Sequence, residues 1–259
     1  MSTRERRRRE FAEREQLFLD KAQELIRQDG LLGLQMSRIA QSCDYAIGTL
    51  YQHFASKEDL LVALATRSCL SRAELFERAA RWDGPTRDRM LAVALADLLI
   101  LREQPEHFRL AQFVWTDVVW GAASAESRRQ ALEASAPLAA VVDGIVVEAR
   151  RRGDLPGNVT LAPAAMTIGP WAMSLGMYTL AQQEGLLDHR QTGNPYRLLL
   201  VHVQYLLNGY GWQPLFDPAD DRAFDALLER VCAAVFGPAC DPHSTSATSL
   251  LQDLLHGQA

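Results

Sequence analysis

Apolar residues recur at spacings of three and four along most of the chain. No stretch alternates apolar and polar with a period of two between turn residues, so the pattern predicts helices and no sheet. Over 10–28, Phe11, Phe18, Ala22, Leu25 and Ile26 share one helical face. Asp29-Gly30 ends that helix, with Gly30 suited to the left-handed C-terminal position, and Leu31, Leu32 and Leu34 lead into a first core. Two short helices follow. Ile39, Ala40 and Cys43 line one face of the first, and Ile47, Leu50 and Phe54 line one face of the second. Cys43-Asp44-Tyr45-Ala46 joins them as a tight turn, with Asp44 where a positive φ is needed, which Asp tolerates better than most residues. Helices of about two turns do not stand alone in water. They must pack on neighbours, leaving Thr49, Gln52 and His53 on the other face of the second helix to meet a partner.

Ser56, with Asp59 three residues on, reads as a capping-box-like start. The helix it opens is predicted to run to about residue 81, because no breaker precedes Asp83-Gly84-Pro85. Further helices are expected over 87–103, 106–120, 124–152, 161–184, 196–208 and 219–236. Pro137 and Pro170 fall inside two of them and predict a kink or a split. After Gly237 the chain turns to Pro, Ser and Thr before the apolar stretch 249–255, which reads either as a short helix packing on its own body or as a disordered end. No internal repeat is visible. The fold class is all-α.

Two short helices and a tight turn, the second helix free on one face, form a helix-turn-helix, a motif that places its second helix in the DNA major groove. The residues Ile39-Ala40, then Gly48-Thr49-Leu50-Tyr51-Gln52-His53-Phe54, then Ser56-Lys57-Glu58-Asp59-Leu60-Leu61 resemble the DNA-binding domain of the TetR/AcrR family of transcriptional regulators. The resemblance covers about 11–64, roughly a quarter of the chain. It implies a basic tail over 1–9, a helix-turn-helix head over 10–56, a helical effector-binding and dimerisation body over 57–237, and a C-terminal tail over 238–259. DNA contacts are expected from Arg38, Ala46, Ile47, Gly48, Thr49, Tyr51, Gln52, His53 and Lys57. In the family, residues matching Thr49, Tyr51, His53 and Lys57 contact DNA. Chemistry supports several of these. Gly48 lets the helix approach the DNA backbone or the preceding helix closely, the hydroxyls of Thr49 and Tyr51 suit phosphate or base edges, and Lys57 adds a cation to helix N-terminal amides. Arg38 is a further phosphate candidate. The chain departs from the family pattern at Asp44, where Gly is usual, and at Ala46, where a capping Ser is usual; the lost cap costs about 1 kcal/mol.

Aromatic and thioether side chains concentrate in the body, at Phe108, Phe113, Trp115, Trp120, Met166, Trp171, Met173, Met177 and Tyr178. Such groups line adaptable apolar pockets, and they equally fill cores. The resemblance places an effector pocket in this domain, with His107, Phe108, Trp115, Trp120, Met166, Trp171, Met173, Met177 and Tyr178 as candidates, and His202 as a further polar contact. It also implies a homodimer joined through 168–182 and 196–208, with Leu198, Leu199, Val201, Leu206 and Leu207 as apolar face. The function implied is that of a repressor, bound to a pseudo-palindromic operator in double-stranded DNA and released by a small-molecule effector, apolar or aromatic in character. The long helix over 57–81 would carry the signal.

A net charge of −5 over 259 residues argues against nucleic acid until its distribution is considered. Residues 1–57 hold ten Lys and Arg against eight Asp and Glu, whereas the remainder holds seventeen against twenty-four. A mildly basic head on an acidic body fits a DNA-binding end. The run Arg4, Arg6, Arg7, Arg8, Arg9 reads as a solvated tail or as an arm on phosphate or minor groove. It precedes Glu10, Glu13 and Glu15 rather than an apolar core, so it is not a signal peptide. Four scattered cysteines, Cys43, Cys69, Cys232 and Cys240, read as free thiols in a reducing cytoplasm. No run approaches 18 uninterrupted apolar residues, so no membrane partner is expected. Enzymatic chemistry finds little footing. Ala172-Met-Ser-Leu-Gly176 lacks the preceding strand a nucleophile elbow needs, no His pair has metal-ligand spacing, Asn158-Val-Thr160 lacks secretory context, and no Gly-rich phosphate loop is present. Neither a cofactor nor a metal is expected. The alternatives are a helical small-molecule-processing enzyme and a helical protein-interaction module.

Overall fold

The computed structural model describes residues 2–71, 73–187, 192–237 and 250–256. Cys240, His189 and His243 lie outside them. Twelve α-helices form among the described residues, with no strand: α1 (Thr3–Asp29), α2 (Met36–Ser42), α3 (Ile47–Tyr51), α4 (Lys57–Leu70), α5 (Ala73–Arg81), α6 (Thr86–Glu103), α7 (Pro105–Val114), α8 (Ala125–Arg152), α9 (Pro163–Ala181), α10 (Pro195–Gly209), α11 (Asp221–Val235) and α12 (Leu250–His256). A π-helical turn, Asp117–Gly121, separates α7 from α8. The chain packs as two units, one of residues 1–71 with 106–135, the other of 72–105 with 136–259.

Within the first unit, α1 starts two turns earlier than its apolar pattern predicts. Ser2 and Glu5 form a reciprocal capping box, Glu5 N donating to Ser2 Oγ at 3.2 Å and Ser2 N to Glu5 Oε2 at 2.6 Å. The arginine run is therefore helix rather than an extended tail. Gly30 ends α1 at φ 77° and ψ 165°, a region open essentially to glycine and outside the left-handed helical well expected for it. Phe18, Ala22, Ile39, Leu50, Phe54, Leu60, Leu61 and Leu64 form the core with Leu110, Val114, Val119 and Ala123 from α7 and the segment after it. Leu34 joins this core while Leu32 points outward.

Helix α4 stops at Leu70 instead of continuing to residue 81. Ser71 caps it in helical geometry, and its hydroxyl donates to Ser68 O at 2.8 Å, a local bond that competes with the backbone ladder. Ser56 caps its start by accepting from Asp59 N at 3.0 Å. The reciprocal half of the predicted box does not form, because the buried Asp59 carboxylate accepts instead from Ser124 N at 2.8 Å. The span expected as one helix over 106–120 breaks at Val114 and re-forms as the π-helical turn.

In the second unit α6 is the central helix, buried along most of its length against α5, α10, α11 and α12. Its polar anchor is Arg87, 1% exposed. The guanidinium donates to Gln204 Oε1 at 3.0 Å, Gln204 O at 2.9 Å and Trp212 O at 2.7 Å. Burial pushes its pKa down to about 10 against the opposing pull of Asp88. Trp212 Nε1 donates to Thr86 Oγ1 at 2.9 Å, and Thr86 donates to Asp154 Oδ2 at 2.6 Å, which completes a buried chain through four segments. Helix α12 packs by Leu250, Leu251 and Leu254, and Asn194 both caps α10 and donates to Asp253 O at 2.7 Å. Pro137 and Pro170 do not split α8 or α9, each of which remains one element. Leu199 and Leu207 are buried in the unit's own core and supply no outward face.

Candidate nucleic-acid interface

The turn between α2 and α3 closes as a Schellman motif. Tyr45 N donates to Ala40 O at 3.0 Å and Asp44 N to Gln41 O at 3.1 Å, with Asp44 at φ +58°. Asp44 is the one described non-glycine residue with a positive φ. Tyr45 sets its ring edge-on to Phe18, centroids 5.5 Å apart, and the Arg14 guanidinium lies 5.5 Å over the same ring. The turn is thus pinned to α1.

Helix α3 is preceded by Ala46, which is extended (φ −64°, ψ 142°) and offers no side-chain cap. Leu50 and Phe54 anchor it in the core. Ala46, Ile47, Gly48, Tyr51 and Gln52 are exposed, and Thr49 is half-buried between the two faces. Ile47 stands 44% exposed, which removes it from the apolar face predicted for it and puts it on the outer one. At Gly48 no atom beyond its chain neighbours and the backbone of its own helix lies within 4 Å of where a Cβ would stand, and its φ is not positive. Neither close packing on α2 nor backbone conformation requires glycine here.

His53 is placed differently from the other candidates. Its side chain is 0% exposed. The ring stacks on Phe11 at 3.8 Å, meets Phe18 edge-on at 5.4 Å and lies 6.3 Å from Phe54. Both ring nitrogens are buried without a hydrogen-bond partner, the nearest carboxylate oxygen being Glu15 Oε2 at 3.7 Å from Nδ1. Burial lowers its pKa, opposed by Glu15 and assisted by Arg14. The imidazole is a clasp between α1 and α3, closed off from the outer face.

Two cations flank α3. Lys57, half-buried, opens α4 beside its free amides, and among the described residues it makes no ion pair. Arg38, exposed on α2, is tied to Asp29 Oδ2 at 2.6 Å. Arg14 and Tyr45 adjoin this edge through their contact with each other; the spacing of Arg14 three residues after Phe11 is the sequence signal for it.

The effector candidates divide between the two units. His107, Phe108, Trp115 and Trp120 belong to the first, and Met166, Trp171, Met173, Met177 and Tyr178 sit on α9 in the second. His107, Phe108, Met166 and Tyr178 are buried, whereas Trp115 and Trp171 are exposed. His107 Nε2 lies 2.6 Å from Gln23 Nε2. Because Gln23 Oε1 accepts from Arg67 at 2.6 Å, its amide nitrogen must be the donor and His107 the acceptor. A groove of about 580 Å³ lies in the second unit between α8 and the start of α9, lined by Ala140, Asp143, Gly144, Val147, Glu148, Arg151 and residues 162–164. None of the expected effector residues lines it.

Apolar side chains are exposed on α8 (Leu132, Val147), α9 (Ile168, Trp171, Leu180) and α10 (Tyr205). Of the described helices, α8 is long and apolar enough to cross a membrane by length and composition, and only 11% of its most apolar window is buried. Asp143 and Gly144 interrupt its apolar run, which is why the sequence shows no span.

Residues 18–64 match the family described as bacterial regulatory proteins, tetR family. No curated protein matches the chain. The fold is similar to that of a Rhodococcus sp. RHA1 protein of unknown function, at 22% identity over 76% of this chain and 94% of that one, TM-score 0.57. It is also similar to the transcriptional regulator FadR from Bacillus subtilis in complex with stearoyl-CoA, at 20% identity over 75% of this chain and 98% of that one, TM-score 0.55. A tetR-family regulatory protein from Rhodococcus RHA1 shares 19% identity over 76% of this chain and 97% of that one, TM-score 0.54.

Proposed function

We propose that this chain is a DNA-binding transcriptional regulator of the tetR family, a reading supported by the family match over 18–64 and by the similar folds, and that it is a repressor that binds a two-fold operator as a homodimer and leaves it when a small molecule binds. The observation that carries the DNA-reading role is Gly48. It costs helix stability, the fold does not need it, and it stands on the exposed face of α3 beside Ile47, Tyr51 and Gln52. A glycine there leaves room for a duplex to come close. Tyr51 and Gln52 then reach base edges, Thr49 and Lys57 hold phosphate, and Arg38 joins them when it releases Asp29. His53 contributes by fixing α3 to α1.

Two-fold symmetry follows from the partner, because successive major-groove faces lie one helical turn, about 34 Å, apart. The exposed apolar faces of α8 and α9 support a second copy as their cover. For release, α7, the π-helical turn and Trp115 between them hold four of the effector candidates, and they pack in the same unit as α3 and α4. An effector touching them acts on α4 through Leu110, Val114 and the Asp59–Ser124 bond, without needing a continuous helix over 57–81. Effectors with a long apolar chain come first for testing, since a protein sharing this fold was captured with stearoyl-CoA.

The test is Gly48→Ala. Thermal unfolding should show a fold as stable as the parent or more stable by up to about 1 kcal/mol, while anisotropy titrations should show affinity for duplex DNA reduced at least tenfold. Unchanged DNA affinity in a folded variant would remove the close approach at α3.

A further inference from the structure

The helical form of the arginine run changes what it can hold. At 3.6 residues per turn, Arg4, Arg7 and Arg8 fall on the face of α1 that carries Phe11, Arg14, Glu15 and Phe18, the face that packs against His53 and Tyr45 beside α3. Arg6 and Arg9 fall on the opposite side. Arg9 Nε donates to Glu13 Oε1 at 2.6 Å, and Arg6 lies 3.5 Å from Glu10 Oε1. Among the described residues Arg4, Arg7 and Arg8 make no ion pair, and all are exposed. The run is thereby sorted into two neutralised arginines facing away from α3 and three unneutralised ones in register with it.

From this sorting we infer that the first two turns of α1 are a rigid arm that lays Arg4, Arg7 and Arg8 along the phosphates next to the groove entered by α3. The arm does not thread the minor groove. A helix with side chains is about 10–12 Å across, and the minor groove is about 6 Å wide. The capping box at Ser2 and Glu5 holds the arm helical up to its first residues. Arg4 lies about 10 Å along the axis from Phe11, a length over which duplex DNA carries about six phosphate charges. The arm adds affinity without sequence, so the sequence preference of α3 is unaffected by it.

This inference rests on the DNA-binding reading and has its own test. The full-length parent, Arg4→Gln/Arg7→Gln/Arg8→Gln and the control Arg6→Gln/Arg9→Gln are titrated against duplexes of random sequence and against duplexes selected by the parent. Titrations span a range of salt concentrations, with flanks rich in A·T or in G·C. The triple variant is expected to bind both duplexes more weakly by the same factor, at least tenfold, and to lower the slope of log affinity against log salt by about 2 to 3 for each bound chain, hence by about 5 for a dimer. The double variant should change the slope by less than one, and flank composition should have no effect. An unchanged slope in the triple variant overturns the arm while leaving binding by α3 intact. A loss confined to A·T-rich flanks also overturns it, because that pattern marks minor-groove insertion. Failure of the parent to bind any duplex counts against the DNA-binding reading itself. Circular dichroism matching the parent confirms that the exposed substitutions leave the helix in place.

Discussion

His53 sits among Phe11, Phe18 and Phe54 with both nitrogens unpartnered, so its protonation state governs how firmly α1 grips α3. The unfolded chain takes up this proton at about pH 6.5. The folded chain takes it up only at lower pH, because burial disfavours the charged ring. Between those values the unfolded state binds more protons. The clasp therefore contributes fully above about pH 6.5, and its contribution is lost as pH falls through the lower folded value. Urea titrations of the parent should show stability declining over this window, and His53→Phe, which keeps an apolar ring in place, should show a shallower decline. Equal slopes in the two proteins would mean that the ring is not shielded as described. Gly48 and His53 lie five residues apart and divide the work of α3. One leaves space for a partner, and the other secures the helix from behind.

At the scale of elements, α2, α3 and the turn were legible because local chemistry and packing agree there. Asp44 takes the positive φ expected of it, and Leu50 and Phe54 take the core. Elsewhere the structure departs from the sequence pattern. Ile47 obeys the apolar spacing yet faces outward, since a five-residue helix has too few turns for periodicity to assign every side. Nothing near residue 71 resembles a breaker, yet α4 ends at Leu70, and the Ser71 hydroxyl bond to Ser68 O is of a kind that α8 and α9 carry without ending. Asp59 looked like a local cap, but its carboxylate reaches 65 residues along the chain to Ser124 N. That contact makes a prediction of its own. Asp59→Ala should destabilise the protein by about 1 to 3 kcal/mol, whereas Asp59→Asn, which keeps an acceptor, should cost less. Denaturant unfolding of both variants checks this, and an Ala variant within about 0.5 kcal/mol of the parent would show that the bond does not tie α4 to the start of α8. The aromatic candidates were the least legible, because a Trp or Met that packs a core and one that lines a pocket have the same sequence signature.

For the whole molecule, the proposed reading of DNA by α3 calls for a second copy of the chain. The exposed apolar residues of α8 and α9, Val147, Ile168, Trp171 and Leu180, are those that a dimer would cover. Such a dimer presents two copies of α3, and what two symmetric copies read is an inverted repeat. The most direct measurement is selection of bound sequences from a random duplex pool by the full-length protein at low salt, followed by repetition with Tyr51→Ala/Gln52→Ala. Reading by a dimer through α3 predicts that the parent enriches a pseudo-palindrome whose half-sites are centred about one helical turn, or a multiple of one, apart. It also predicts that the variant still binds the pool while losing the enriched motif. Enrichment of no sequence, or of the same motif by both proteins, would contradict the reading of DNA by α3.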